Sequence, residues 1–281
     1  MSSNRNQRSL RESLLTALAV GRQMEAALIV ASNDSPPREP DRWTARDHLA
    51  HIGHYCDYGA AVLDAVRQGV VPPEDAESDI DERNARVLAE NRHLAATQVN
   101  EWARETYDRL AAAVEQCSQS HLLRPRSVGS DVAVWRVVPG CGWGHVGQHL
   151  VYWHLGCDDW SAAELAARRV HDVEMANFDD ERFRAGSVYN LGCFYATTGR
   201  TAEAVGLVRE ALTRAPELGD TARHDADLVA IRHLVEPHTG LAHPGGQPAS
   251  GAPSMSTSTR ISGSVRRDPS VPTPSAGTVR W

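Results

Sequence analysis

Residues 43–69, WTARDHLAHIGHYCDYGAAVLDAVRQG, decide the fold class of this chain. Leu49, Ile52, Cys56, Leu63 and Val66 recur at the spacing of one helix face. Thr44 with Asp47 three residues on resembles a capping box with Asp in place of Glu, so the helix is expected to begin near Thr44. It should run to Arg67, where Gly69 and the Pro72–Pro73 pair close it.

The same period appears on both sides. Leu10, Leu14, Leu15, Leu18, Met24, Leu28 and Ile29 predict a first helix over 8–32, broken by the proline-rich NDSPPREPDR. Downstream, PPEDAESDIDERNARVLAENR leads through a short helix into a third long one over 95–117, carrying Val99, Trp102, Ala103, Tyr107, Leu110 and Val114. Residues 119–140 read as irregular, with VAVWRVV extended. An uninterrupted fourth helix is expected over 143–168. Four long amphipathic helices with one longer crossover predict an all-α four-helix bundle over 1–170, with any site built from side chains on facing helices.

A second unit is expected over 180–235. SVYNLGCFYATTGRTAEAVGLVREALTRAPELG has the spacing of a single tetratricopeptide (TPR-like) repeat. With Ala185 as its first position, Leu191, Gly192, Tyr195, Ala204, Ala211 and Pro216 fall on signature positions, and Val188 and Val208 replace the usual aromatics. Residues 219–235 read as a third, capping helix. From Glu236 the composition turns to Pro, Gly, Ser and Thr, which predicts a disordered tail over 236–281.

Composition narrows the function classes. The 281 residues are 41% hydrophobic and 23% charged, as in a soluble globular chain. The net charge of −7 argues against a nucleic-acid partner, and Arg266–Arg267 is too little charge to act as a basic arm. Cys56, Cys117, Cys141, Cys157 and Cys193 are scattered with no C-x-x-C, which reads as reduced thiols in a cytoplasmic protein. No membrane span or signal peptide is read, nor any glycine-rich phosphate loop or nucleophile elbow.

Chemistry concentrates in the histidines. In CGWGHVGQHLVYWH (141–154), His145 and His149 are four apart, so on a helix both rings face one side and can reach one metal ion. His51, from the helix of 43–69, would complete a three-ligand site with open positions. His48 and His54 flank it, and His154 follows the pair. His48 and His54 are about 240° apart around a helix, so His48, His51 and His54 cannot all share a site. His51, at the edge of the apolar stripe, is the favoured ligand, with His48, His54 and His154 as alternates. Core or surface histidines are the competing reading. Asp47 either orients a ligand His or compensates the helix N-terminus. Trp102, Trp143 and Trp153 either line a substrate pocket or pack the core. Cys141, four residues before His145, is weighed as a soft ligand and disfavoured, because Pro139 and Gly142 place it ahead of the regular helix.

Trp43, Asp47, Leu49, His51 and Tyr55, together with His145 and His149, resemble the second- and fourth-helix signatures of the DinB-like superfamily. The resemblance covers about residues 8–165. Within it, DIDERNARVLAENRHLAATQVNEWARETYDRL looks most like the ClbS-like (colibactin self-resistance) branch, with Asp81 and Asn84 on its Asp…Asn helix. The superfamily also holds metal hydrolases and mycothiol-dependent maleylpyruvate isomerases. The resemblance implies a divalent metal (Zn, Ni or Fe) on His51, His145 and His149, an electrophilic small-molecule substrate, hydrolysis or transfer of a thiol such as mycothiol, and homodimerisation. A detoxification or self-resistance role against a DNA-damaging metabolite would follow. The alternative is a non-catalytic module that sequesters a small molecule or recruits a protein partner through the TPR-like repeat.

Overall fold

The computed structural model describes residues 8–34, 43–73, 80–127 and 129–235. Among the described residues the fold is all-α, without strands, and one isolated bridge pairs Pro125 with Ala133. The helices are α1 (Leu10–Asp34), α2 (Ala45–Gln68), α3 (Ile80–Asn91), α4 (Ala96–Gln116), α5 (Gln119–Leu122) and α6 (Val137–Cys141). They continue with α7 (Trp143–Gly156), α8 (Trp160–Asn177), α9 (Glu181–Thr197), α10 (Thr201–Arg214), α11 (Leu218–His224) and α12 (Arg232–Val235). The expected tail lies outside the described residues.

The α2 boundaries follow from local chemistry. Thr44 Oγ1 accepts the Asp47 backbone N–H at 3.2 Å, and Asp47 Oδ2 accepts the Thr44 N–H at 2.8 Å. This reciprocal box satisfies donors that a helix start leaves open. Gly69 caps the other end through bonds to Ala65 and Val66.

α1, α2, α4 and α7 close around one core, with α8 laid against α1 and α7. Leu14, Leu18, Leu28, Leu49, Ile52, Leu63, Tyr107, Leu110 and Trp143 are almost wholly buried there. Tyr107 would carry an unpaired hydroxyl, but its O–H donates to Leu18 O at 2.8 Å. Two glycines set how closely the helices approach. A Cβ on Gly21 would stand 2.7 Å from Trp143 Cα, and one on Gly147 would stand 2.2 Å from Val170 Cγ2. By length and composition alone α1 is long and apolar enough to cross a membrane, a test that a buried core helix also passes. Its apolar residues Leu14, Leu18, Met24 and Leu28 are those packed into the core.

Three expectations need correction. Residues 134–141 are helical rather than extended, forming a 3-10 turn (Val134–Arg136) that runs into α6. Val134, Val137 and Val138 are all buried, so a run rich in β-branched residues follows its helical burial period instead of its β propensity. Pro139 is tolerated because it sits in the first turn of α6, where no intrahelical partner awaits its missing N–H.

The fourth helix is not continuous. It breaks at 157–159, where Asp158 takes a left-handed φ of 60° and Asp159 caps α8 by accepting the Ala162 N–H. Asp tolerates both positions. The third correction concerns 219–235, where α11, a 3-10 turn (Ala226–Leu228) and α12 replace one capping helix.

The expected gap between units at 170–180 is occupied by the end of α8. Phe178 and Phe183 beyond it belong to the first core, in ring contact with Trp135, and Phe178 also stacks on Trp143. A second core gathers Val188, Leu191, Tyr195, Ala204, Val208, Leu228 and Ile231.

Candidate metal centre

Two helices bring four histidines together. α2 contributes His48 and His51, one turn apart, and α7 contributes His145 and His149. All four are buried. His51, His145 and His149 each offer a ring nitrogen within 4.8 Å of the others, which is the donor set expected from the H-x-x-x-H spacing.

The contacts define a chain. His145 Nδ1 lies 2.8 Å from Gly140 O, and its Nε2 lies 2.8 Å from His149 Nε2. His149 Nδ1 in turn lies 2.8 Å from His48 Nδ1. The Gly140 carbonyl is free to accept because α6 ends at Cys141, leaving its last carbonyls without intrahelical partners. His51 Nδ1 is buried and has no hydrogen-bond partner.

Aromatic rings wall the cluster. Trp43 stacks on His149 with centroids 5.9 Å apart and planes 3° apart, and meets His51 edge-on at 5.2 Å. Tyr55, a turn beyond His51, reaches the His145 ring at 4.7 Å. Burial pushes the His48 and His145 imidazoles down to about 4 and holds His51 and His149 well below the ordinary value, with neighbouring rings acting in the same direction. The rings are therefore neutral near pH 7, the form that ligates a metal.

The three converging rings could hold a metal ion. Three neutral imidazoles form a borderline donor set suited to zinc, nickel or iron. A buried nitrogen without a partner costs stability unless something occupies it.

The remaining sequence candidates separate. His54 is half-buried beside Tyr55, and His154 lies at the far end of α7, 4.0 Å from Asp159; neither joins the donor set. The Asp47 carboxylate is engaged in the α2 cap, so the helix-start role describes it. Trp143 is wholly buried, donates through Nε1 to Glu174 at 3.0 Å and stacks on Phe178, which makes it core rather than pocket lining. Trp102 is half-buried where α4 crosses α2, with its ring against Gly53, and Trp153 is half-buried against the first core. Cys141 is buried, and its carbonyl accepts from the Cys56 thiol. The five cysteines form no disulfide with one another. Asn84 Oδ1 on α3 is buried without a partner, while the side chain of Asp81 lies outside the described residues.

Sequence reasoning missed two buried carboxyls. Burial pushes Glu25 and Glu174 up to about 7. Glu25 lies between Met24 and Ala26 and Glu174 between Val173 and Met175, the one signal the sequence offers. It also used Trp43 only as a signature residue, although that ring touches three of the four histidines. A surface cleft of about 350 Å³ lined by Arg22, Glu25, Ile29, Arg104 and Asp108 contains none of the histidines.

Neither a family model, nor a curated protein, nor a solved structure matches the chain.

Proposed function

We propose that the chain is a metal-dependent enzyme of DinB-like type acting on an electrophilic small molecule. In this reading α1, α2, α4 and α7 are the four-helix bundle, and α9 with α10 is a TPR-like hairpin. One observation carries it: three buried, neutral imidazoles with converging ligand nitrogens, with the buried His51 Nδ1 lacking a hydrogen-bond partner. His51, His145 and His149 would hold the ion, which would supply a Lewis acid that acidifies water or a thiol and polarises the electrophile. The protein's own part is orientation and exclusion of water. Gly140 O fixes the His145 ring, Trp43 and Tyr55 form an aromatic wall, and the buried Arg83 donates to the Tyr55 hydroxyl behind it. Hydrolysis or transfer of a thiol such as mycothiol onto a strained or electrophilic group would detoxify a DNA-alkylating metabolite. Five cysteines without a disulfide among them, four of them buried, support a reducing, cytoplasmic setting.

The test begins with the metal. Purified full-length protein should take up about one equivalent of Zn, Ni or Fe. The loaded protein should consume an epoxide or enone faster than free metal does, with water or added thiol as co-substrate. Absence of stoichiometric uptake, with His145→Ala binding metal no worse than wild type, would sink the proposal. The second core around α9 and α10 favours one rival, a protein-recruiting module. Partner or ligand binding indifferent to chelators, with no turnover, would support that rival.

A further inference from the structure

His48 was weighed as an alternate ligand, yet it stands outside the converging set and is joined to it by a single contact, Nδ1 to Nδ1 of His149 at 2.8 Å. That contact has a direction, and the direction can be worked out from the other end of the chain. Gly140 O can only accept, so His145 carries its proton on Nδ1. A neutral His145 then has a bare Nε2, which accepts from His149 Nε2–H. His149 is left with a bare Nδ1, and the contact to His48 exists only if His48 Nδ1 donates. One backbone carbonyl thus fixes the tautomers of three rings.

A metal at the triad cannot leave this arrangement intact, because His149 Nε2 would have to give up its proton to become a ligand. We propose that His48 is a positioning residue for His149, its Nδ1 switching from donor to acceptor so that His149 can carry its proton on Nδ1 while Nε2 ligates. The proposal rests on the metal reading of the triad. The protons balance: His149 moves its proton from Nε2 to Nδ1, His48 moves its proton from Nδ1 to Nε2, and His145 keeps Nδ1–H. Three protons are on the three rings before and after, so these rings release none on loading. A carboxylate, the usual partner of a ligand histidine, accepts but never donates, and could not support both states. An imidazole can. Nearby Asp47 has the carboxylate but spends it on the α2 cap.

The experiment uses full-length protein labelled with ¹⁵N-histidine at pH 7.5. Ring nitrogens are assigned as protonated or bare from two- and three-bond proton couplings, without metal and with one equivalent of zinc. Metal-free protein should show Nε2–H on His149 and Nδ1–H on His48; zinc should reverse both and leave His145 as Nδ1–H. Nδ1–H on His149 in metal-free protein, or a His48 nitrogen shifted as a zinc ligand, would overturn the proposal. Wild type that binds no zinc would overturn the metal reading and this inference with it. Wild type that binds zinc without reversing the two rings would overturn this inference alone.

A variant pair supplies the second readout. His48→Asn can donate or accept near the Nδ1 position, whereas His48→Leu can do neither. In Co(II) competition, His48→Leu should bind roughly 10- to 100-fold more weakly than wild type, and His48→Asn within about threefold. Equal affinity for wild type and His48→Leu would refute the positioning role. A His48→Leu that fails to fold leaves the wild-type ring spectra to decide.

Discussion

Two groups in this molecule bring three ligand-type atoms within 4.8 Å of one another, and they differ in what those atoms are already doing. The first is His51, His145 and His149. The second is Cys193, Asp225 and Asp227, where α9 meets the chain after α11. In the second group Asp225 is spent. One of its oxygens accepts the Asp227 N–H at 3.0 Å, and the other accepts Tyr189 O–H at 2.7 Å and the Cys193 thiol at 3.8 Å. Burial and the two carboxylates push the thiol well up, so it stays protonated and ligates poorly. In the first group the rings are neutral and one nitrogen is unpartnered. Proximity of donors does not make a metal site; neutral donors that can rearrange their hydrogen bonds, beside one that has none, are better placed to do so.

The largest effect expected from this contrast is on metal binding. His149→Ala should weaken Zn(II) affinity by about 100-fold or more, whereas Cys193→Ser and Asp227→Asn should leave affinity and stoichiometry unchanged in competition titrations. Zinc lost from Asp227→Asn would reverse the comparison.

Opposite pH slopes come next. In metal-free protein the buried histidines sit below their unfolded value of 6.5, so the stability they allow is present above 6.5 and is lost as pH falls toward 4. Asp227 is raised from 3.8 to about 6, first by burial and then by Asp225, so its contribution is present below 3.8 and is lost as pH rises through 6. Urea melts from pH 4 to 7 should show Asp227→Asn removing a loss of about 1–2 kcal/mol that wild type suffers on the way up. A wild-type-like slope in that variant would place the titration elsewhere.

Packing gives a smaller, one-sided effect. Gly147→Ala would press a Cβ into Val170 on the face of α7 turned away from the histidines and should cost about 1–3 kcal/mol. The paired change Gly147→Ala with Val170→Ala should recover most of it in the same melts. The smallest is Tyr189→Phe, which removes one hydrogen bond to Asp225 and should cost about 1 kcal/mol without touching metal uptake.

What was legible follows the range over which each feature is determined. The Thr44–Asp47 box and the H-x-x-x-H face are set within four residues, and both were readable. The break after Gly156 was not, since nothing in CDDW outweighs the flanking apolar period until Asp158 is seen in its left-handed conformation. The helical run through VWRVVPGC was hidden because β-branched residues signal strand and only burial on the helical face overrides them. The pairing of His48 with His149 spans 101 positions and depends on how α2 rotates against α7, which no local pattern encodes. The roles of Glu25 and Glu174 are equally non-local, set by what the folded core places around them.

The bond from His145 to Gly140 O bears on how such a site can drift over generations. Its acceptor is main chain, so no substitution at position 140 itself removes the accepting oxygen. Short of replacing His145, a proposed ligand, the bond is lost only by re-routing the backbone around Pro139 and Gly142. His149 leans on a side chain, and one base change at codon 48 removes that support. Lineages descending from this protein should therefore vary at the His149 end of the cluster first.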